Sequence, residues 1–393
     1  MFSIAFFILS VFAARSLTLY DLGTYSIIIS VYLLSLSVFI SCVGEAQIIW
    51  NPKSSDNEAL RSNFGFSFYT TIFLFLLISL VSIPLFLMPL NLMAHDLFFV
   101  SLTMLIIMMA QNYRYFFHSI DMPQDAAMSG LSLTVGTMIW LFFSPDFFNL
   151  NPAVEIFISF GAGGLLAIIM SIHKAPMNLS LKNWYKLFLI RIAFIKKAGI
   201  LNFSIWASGN LHWIILGVYF NQGLLGIIRG CLTIISPMQN LERGFSNSFL
   251  TQLNKSSISG IKKLFNMYFF SISLIYFVVI ILWLLNSEII LKYTIGEKFL
   301  EYKVAISFLM FIPIFQSISA FASLILKSFS IFIPQILVYT ISPLLMFLLI
   351  YFNSNSMNPL NIVIGMLFIA LMQSFLVYIY YRFFFIGGIK SSD

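Results

Sequence analysis

The sequence predicts an all-α polytopic membrane protein of about twelve spanning helices, arranged as two pseudo-symmetric six-helix lobes around a central cleft. Three observations carry that expectation. The 393-residue chain is 60% hydrophobic and only 9% charged, with a mean hydropathy of +0.97, outside the range of a domain with a water-facing surface. Its apolar runs recur at spanning length, separated by short polar turns. The longest interruption, residues 174–197, lies near the middle and holds Lys174, Lys182, Lys186, Arg191, Lys196 and Lys197 without an acid. In hydrocarbon the backbone must satisfy its own hydrogen bonds, so runs of this kind are read as helices.

In chain order the spans are expected at 1–15, 20–42, 64–89, 97–120, 124–144 and 152–173, then at 198–220, 223–250, 264–286, 302–326, 330–352 and 359–385. The opening run Met1–Ala14 has no basic segment before it and no small-residue cleavage pattern, so it reads as a helix, short at about 21 Å. The connections carry turn chemistry: Ser16–Asp21 after the first span, Asn51-Pro52-Lys53 through Glu58 after the second, Pro89–Asp96, Ser144-Pro145-Asp146, and Asn221-Gln222-Gly223. The domain organisation follows as 1–173 for the first lobe, 174–197 for a basic hinge and 198–393 for the second lobe. Trp184, Tyr185, Leu187, Phe188 and Ile190 within the hinge suggest an amphipathic helix lying on the membrane surface.

An even number of spans places both termini on one side. Most of the 21 Lys and Arg residues fall in the ends and loops of that side, with Arg15, Lys292, Lys298 and Lys303 on the other and Arg229 inside a span. This bias predicts cytoplasmic termini and a cytoplasmic hinge, and it gives the +7 formal charge a topological meaning instead of a nucleic-acid one. Cys42 and Cys231 both lie in apolar runs and read as packing residues. No histidine stands at metal-ligand spacing and no phosphate-binding glycine loop occurs, so no cofactor, no metal and no catalytic group is expected. Gly161-Ala162-Gly163-Gly164 reads as a close-packing patch or bend.

The halves repeat. Leu22-Gly23-Thr24-Tyr25 after the first span corresponds to Leu225-Gly226-Ile227-Ile228 after the seventh, and Met122-Pro123-Gln124 at the fifth corresponds to Ile333-Pro334-Gln335 at the eleventh. Repeated lobes of like orientation around a cleft make a transporter architecture.

Ala14-Arg15-Ser16-Leu17 followed by Tyr20-Asp21-Leu22-Gly23-Thr24-Tyr25-Ser26 resembles the signature of the polysaccharide transporters, the Wzx-type flippases of the MATE-like (MOP) superfamily. His212 through Gly217 running into Leu225-Gly226 resembles that family's seventh and eighth helices, and Ile295-Gly296-Glu297-Lys298-Phe299 its turn before the tenth. Two features differ from the family pattern: His212 stands where members commonly carry an acid, and the first helix has no longer, basic approach. The resemblance implies a flippase that moves an undecaprenyl-pyrophosphate-linked oligosaccharide across the bacterial inner membrane by alternating access, for O-antigen, capsule or exopolysaccharide assembly. Its implied partners are that lipid-linked substrate, the bilayer and polysaccharide polymerase machinery.

A pyrophosphate crossing a low-dielectric slab calls for cationic and hydrogen-bonding groups, arginine above all. The candidates are Arg229, about a turn into the eighth span, with snorkelling to the outer surface as its alternative; Arg15 at the end of the first, alternatively an interface anchor that fixes the turn; and Arg114 beside Gln111, Asn112 and His118 in the fourth, alternatively a topology determinant. Asn202, Asn210 and His212 of the polar seventh span and Gln239 of the eighth complete the set, with interhelical hydrogen bonding as the structural alternative for the amides. Glu242 reads as a local partner of Arg243. A MATE-like drug/cation exporter, expected to carry a buried acid in the first lobe, is the alternative within transport. A membrane O-antigen polymerase or glycosyltransferase, whose acids would have to come from the 286–302 loop with Glu288, Glu297 and Glu301, is the alternative outside it.

Overall fold

The computed structural model describes residues 2–44, 47, 57–90, 92–143, 150–175, 180–253, 258–329, 331, 333–352 and 358–387. All of the regular structure described is helical, and ten helices are long and apolar enough to cross a membrane. With the short apolar first helix and an interrupted seventh, the chain forms the series of twelve.

The helices are α1 (Phe2–Ser16), α2 (Leu19–Phe39), α3 (Asn57–Ser82), α4 (Ala94–Ser119), α5 (Pro123–Phe143), α6 (Pro152–Ile172), α7 (from Leu181), α8 (Gln222–Leu253), α9 (Ile258–Thr294), α10 (Lys303–Leu309 and Ile312–Ser328), α11 (Ile333–Phe352) and α12 (Pro359–Gly387). Both Pro-Gln pairs noted in the sequence open a helix, at α5 and α11, where a missing N–H costs nothing and the fixed φ suits the first turn. π turns extend α2 over Ile40–Gly44 and α3 over Ile83–Leu87.

Three boundaries differ from the apolar runs. Helix α3 begins at Asn57, seven residues before the run at 64; α7 begins at Leu181, inside the hinge; and α9 runs to Thr294, so most of the expected 286–302 loop is helical, with a break at Asn286 (φ −131°, ψ 21°) and a 3₁₀ segment at Glu297–Tyr302. Hydropathy marks only what hydrocarbon would cover, whereas helical hydrogen bonding continues into polar sequence beyond it.

The chain divides into two compact units, one of Met1–Trp206 with Gly217–Gly223, the other of Ala207–Leu216 with Leu224–Asp393. In the first unit, α6 is packed hard against its neighbours through its glycines. A Cβ on Gly136 of α5 would stand 2.8 Å from the Cα of Gly163, and one on Gly163 would strike the Leu133 carbonyl and the Thr137 hydroxyl. Gly161 and Gly164 face Thr103 and Ile106 of α4. The Gly161–Gly164 stretch is therefore a close-packing patch, the device by which helices gain contact where lipid is as apolar as they are. Tyr32 of α2 closes the same face, with ring centroids 5.9 Å from Phe157 and 5.7 Å from Phe160.

The ends of these helices are tied. Thr18 Oγ1 accepts from the Asp21 N–H (3.1 Å) and donates to the Asp21 carboxylate (2.6 Å), which fixes the α1–α2 turn as an N-cap. Buried Asp96 accepts the Met93 N–H with one oxygen and the Asn151 N–H with the other, both at 3.1 Å, and so caps α4 while holding the start of α6. Lys174 pairs with Asp125 at 2.5 Å, tying the segment after α6 to the start of α5.

In the second unit the Gly296 turn takes a left-handed φ of 101°, which only glycine adopts without strain, and delivers Phe299 onto Gly230 of α8 with no room for a side chain there. Pro237 inside α8 leaves the Thr233 carbonyl without its helical donor; the Ser236 hydroxyl takes that place at 3.0 Å. Aromatic pairs Phe249–Phe321 (5.2 Å), Phe249–Tyr268 (5.3 Å) and Phe265–Tyr381 (5.3 Å) join α8, α9, α10 and α12.

The glycine packing makes a direct test. Gly163→Ala overpacks the α5–α6 contact at a cost of about 1–3 kcal/mol, read as a melting temperature lower by several degrees in detergent. Gly209→Ala, where an added Cβ meets nothing within 4 Å, leaves it unchanged.

Candidate functional site

The acids come first, because their positions decide what chemistry the spans can hold. Among the described residues of the first unit, Asp21, Glu58, Asp96, Asp125 and Glu155 all stand in the first turn of a helix, and Asp121 occupies the α4–α5 turn at φ 59°. There they complement the positive end of the helix dipole and its orphan N–H groups. Asp96 is the acid that is buried, and both of its oxygens are taken up by backbone donors. Glu45, Asp56 and Asp146 lie outside the described residues.

The cations are placed differently. Arg15 is exposed in the last turn of α1, and Arg114 is half-buried near the far end of α4. Arg229 is half-buried in α8, where Thr233 donates to its carbonyl at 3.0 Å. Gln239 lies ten residues further along α8, about 15 Å by helix rise, and its Nε2 donates to Gln316 Oε1 of α10 at 3.3 Å. That bond links α8 to α10 through their amides.

Helix α7 is the irregular element. Its α-helical part ends at Trp206, whose Nε1 donates to the Ser30 carbonyl at 2.9 Å; π turns follow at Ala207–Leu211 and Leu216–Phe220, with His212–Ile215 between them. Such bulges concentrate at functional segments because each shifts the side chains beyond it around the axis. Asn202, in the first unit, has its carbonyl held by Ser37 Oγ (2.9 Å), while its buried Nδ2 has no hydrogen-bond partner. Asn210 and His212 belong to the second unit. Asn210 is half-buried, and Ser208 beside it accepts from Gln373 Nε2 at 2.6 Å. His212 is buried against the Trp213 ring, 4.1 Å between centroids, and neither of its nitrogens has a hydrogen-bond partner among the described residues.

Two groupings escaped the sequence reading. Gln47 Nε2 donates to Ser67 Oγ (2.6 Å) and Asn112 Oδ1 (2.8 Å), forming a buried amide cluster in which Gln47 Oε1, Asn112 Nδ2 and neighbouring Gln111 Oε1 keep unused hydrogen-bonding capacity. The Gln111-Asn112 pair inside an apolar helix was the available signal; Gln47 lies between the expected second span and the loop that begins at Asn51. Arg191, counted among the hinge bases, is buried: its Nη2 donates to Asn63 Oδ1 at 2.6 Å and its guanidinium lies 4.7 Å from the centroid of the Phe66 ring.

Among the described residues no group of His, Cys, Asp and Glu could hold a metal ion, and both cysteines are buried thiols. Around the α9–α10 connection Glu288 pairs with Lys303 (2.9 Å) and Glu297 with Lys292 (2.7 Å). The side chain of Arg243, read as a partner for Glu242, is outside the described residues.

The succession of described helices has the fold of solved MOP-superfamily transporters. Solved structures agree. An inward-facing multidrug resistance MATE transporter of that superfamily matches with a TM-score of 0.76 at 9% identity, covering 100% of this chain and 96% of its own. The lipid II flippase MurJ, in an inward closed conformation, matches at 0.70 with 13% identity over 97% of this chain and 86% of its own. A third, a MOP-superfamily transporter from Pyrococcus furiosus described as having a binding pocket of reversed polarity, matches at 0.66 with 10% identity over 98% of this chain and 92% of its own. No protein-family profile matches the chain, and no curated protein sequence does.

The buried arginine of α7 offers a stability test. Asn63→Ala removes a charge-assisted hydrogen bond worth about 1.5–3 kcal/mol and lowers the melting temperature. Adding Arg191→Met recovers most of the loss, because the buried charge leaves with its partner.

Proposed function

We propose that this protein is a lipid-linked oligosaccharide flippase, moving an undecaprenyl-pyrophosphate-linked repeat unit across a bacterial inner membrane by alternating access for O-antigen, capsule or exopolysaccharide assembly. Lobes 1–173 and 198–393 act on either side of the hinge 174–197, with both termini and the hinge cytoplasmic, and polysaccharide polymerase machinery takes the product. The observation that carries this reading is the pair of arginines within the spans, with Glu242 at the far end of the apolar part of α8. Half-buried Arg114 and Arg229 stand within apolar helices, whereas the described acids of the first unit stand in helix first turns or in a turn. A charge held inside a span is costly and is retained for a ligand or pathway. Cationic and amide groups suit a pyrophosphate and its sugars. The similarity to a structure described as a lipid II flippase supports a cargo of this chemical type.

Arg229 carries the principal pyrophosphate contact, with Arg15 and Arg114 acting toward opposite ends of the path and Asn202, Asn210, His212 and Gln239 supplying polar wall. Replacing Arg229 with Ala removes a charged hydrogen-bond donor, worth about 1.5–3 kcal/mol or roughly 10–150-fold. Surface glycan falls accordingly at equal expression, and complete lipid-linked repeat units accumulate on the inner leaflet. Unchanged glycan removes Arg229 from the path; unpolymerised units on the outer leaflet point to a polymerase instead.

The exporter reading, also consistent with the structural neighbours, requires an ion-coupling acid, and Asp96 is the buried acid of the first unit. As a cap it tolerates Asp96→Asn with full glycan export and a modest loss of stability; loss of export at unchanged stability would assign it to coupling.

A further inference from the structure

The hinge end of α7 carries four lysines that no hydrogen bond or ion pair among the described residues explains. The rotation of this helix about its axis is fixed from inside: Trp184 Nε1 donates to Thr70 Oγ1 at 3.1 Å, Trp184 and Phe188 both lie against Phe73 (6.3 and 6.4 Å between centroids), and Arg191 reaches Asn63. At 3.6 residues per turn, Lys182, Lys186, Lys196 and Lys197 then fall within an arc of about 100° on the face opposite Arg191. All four are exposed.

That arc is not a simple solvated stripe. Leu189 and Ile200 lie among the lysines, and Leu181, Tyr185, Ile190 and Ile192 flank them, every one exposed, with Ile190 at 69% and Leu181 at 62%. Exposed aliphatic side chains beside a lysine row suit an interface where the apolar parts enter acyl chains and the ammonium groups reach phosphates. These contacts tie the face opposite the lysines to α3, one of the membrane-crossing helices. Charge complementarity selects the lipid: from Ile156 to Leu241 the sequence contains no Asp or Glu, so this whole stretch of chain carries only positive charge toward an anion.

We infer that the exposed face of α7 over residues 181–200 is a docking surface for anionic phospholipid headgroups, distinct from the transported cargo. The lysines hold phosphodiester groups at the membrane surface while Leu181, Tyr185, Leu189 and Ile192 enter the acyl boundary. Each lysine near an anionic surface favours the contact by about fivefold, so four together give a preference of more than a hundredfold over a zwitterionic lipid. This inference does not depend on the flippase reading, because the contact requires only the helix and the bilayer.

The experiment uses the purified full-length protein, titrated with phosphatidylglycerol and with phosphatidylcholine of the same chains, and scores bound lipid by native mass spectrometry. Wild type is expected to prefer phosphatidylglycerol at least tenfold, the preference falling with salt. Replacing Lys182, Lys186, Lys196 and Lys197 with Gln abolishes it, while Arg at the same positions keeps it. The pairs Lys182→Gln/Lys186→Gln and Lys196→Gln/Lys197→Gln each lose part of it, which preserves the test if the fourfold variant does not fold. Absence of a preference in wild type, its persistence in the Gln variants, or an equal loss from Lys262→Gln/Lys263→Gln on α9 would overturn the inference.

Discussion

Hydrocarbon offers no hydrophobic reward for bringing two apolar helices together, and much of this architecture answers that constraint. Contact has to come from close approach and from the few polar groups available. Helix α6 meets α4 and α5 where glycines let backbones touch, and Phe299 seats on Gly230 in the same manner in the second unit. Side-chain hydrogen bonds then act as local fasteners: Trp283 to Ser307 between α9 and α10, Tyr276 to the Met238 carbonyl between α9 and α8, and Ser374 to the Phe315 carbonyl between α12 and α10. Each polar group engaged this way is one that lipid would otherwise leave unsatisfied.

The same constraint sorts the charges. Acids cost least where helix N–H groups and the dipole meet them, and the described acids of the first unit occupy those places or a turn. Arginine keeps its charge with fewer partners, because the guanidinium is weakly hydrated and bonds through a planar fork. Arg191 shows how such a charge is accommodated structurally, with an amide in line and an aromatic face beneath it. Arg229 and Arg114 hold comparable half-buried positions in the spans.

Much of the fold was legible because composition and run length are direct statements about solvent. The spans of α2, α4, α5 and α6 match their apolar runs to within a few residues, and the glycine patch declared its packing role by composition alone. The starts of α3 and α7 and the end of α9 were not legible, since polar sequence outside a membrane is equally able to be helix or loop. The candidate site was legible only as residue types. Gln47 could not be paired with Asn112, nor Asn63 with Arg191, because those bonds join positions 65 and 128 residues apart.

By itself, then, the sequence determined that the chain lives in a membrane, in what order its apolar helices follow, and where charge may enter them, for all of these follow from the cost of exposing polar groups to hydrocarbon. Tertiary structure alone decided which way each helix faces. It turned Arg191 inward and the four lysines of the same helix outward, set Asp96 to cap two helices at once, and broke α7 into π turns around His212. Rotation about a helix axis depends on neighbours brought from far along the chain, and no local pattern of a uniformly apolar segment encodes it.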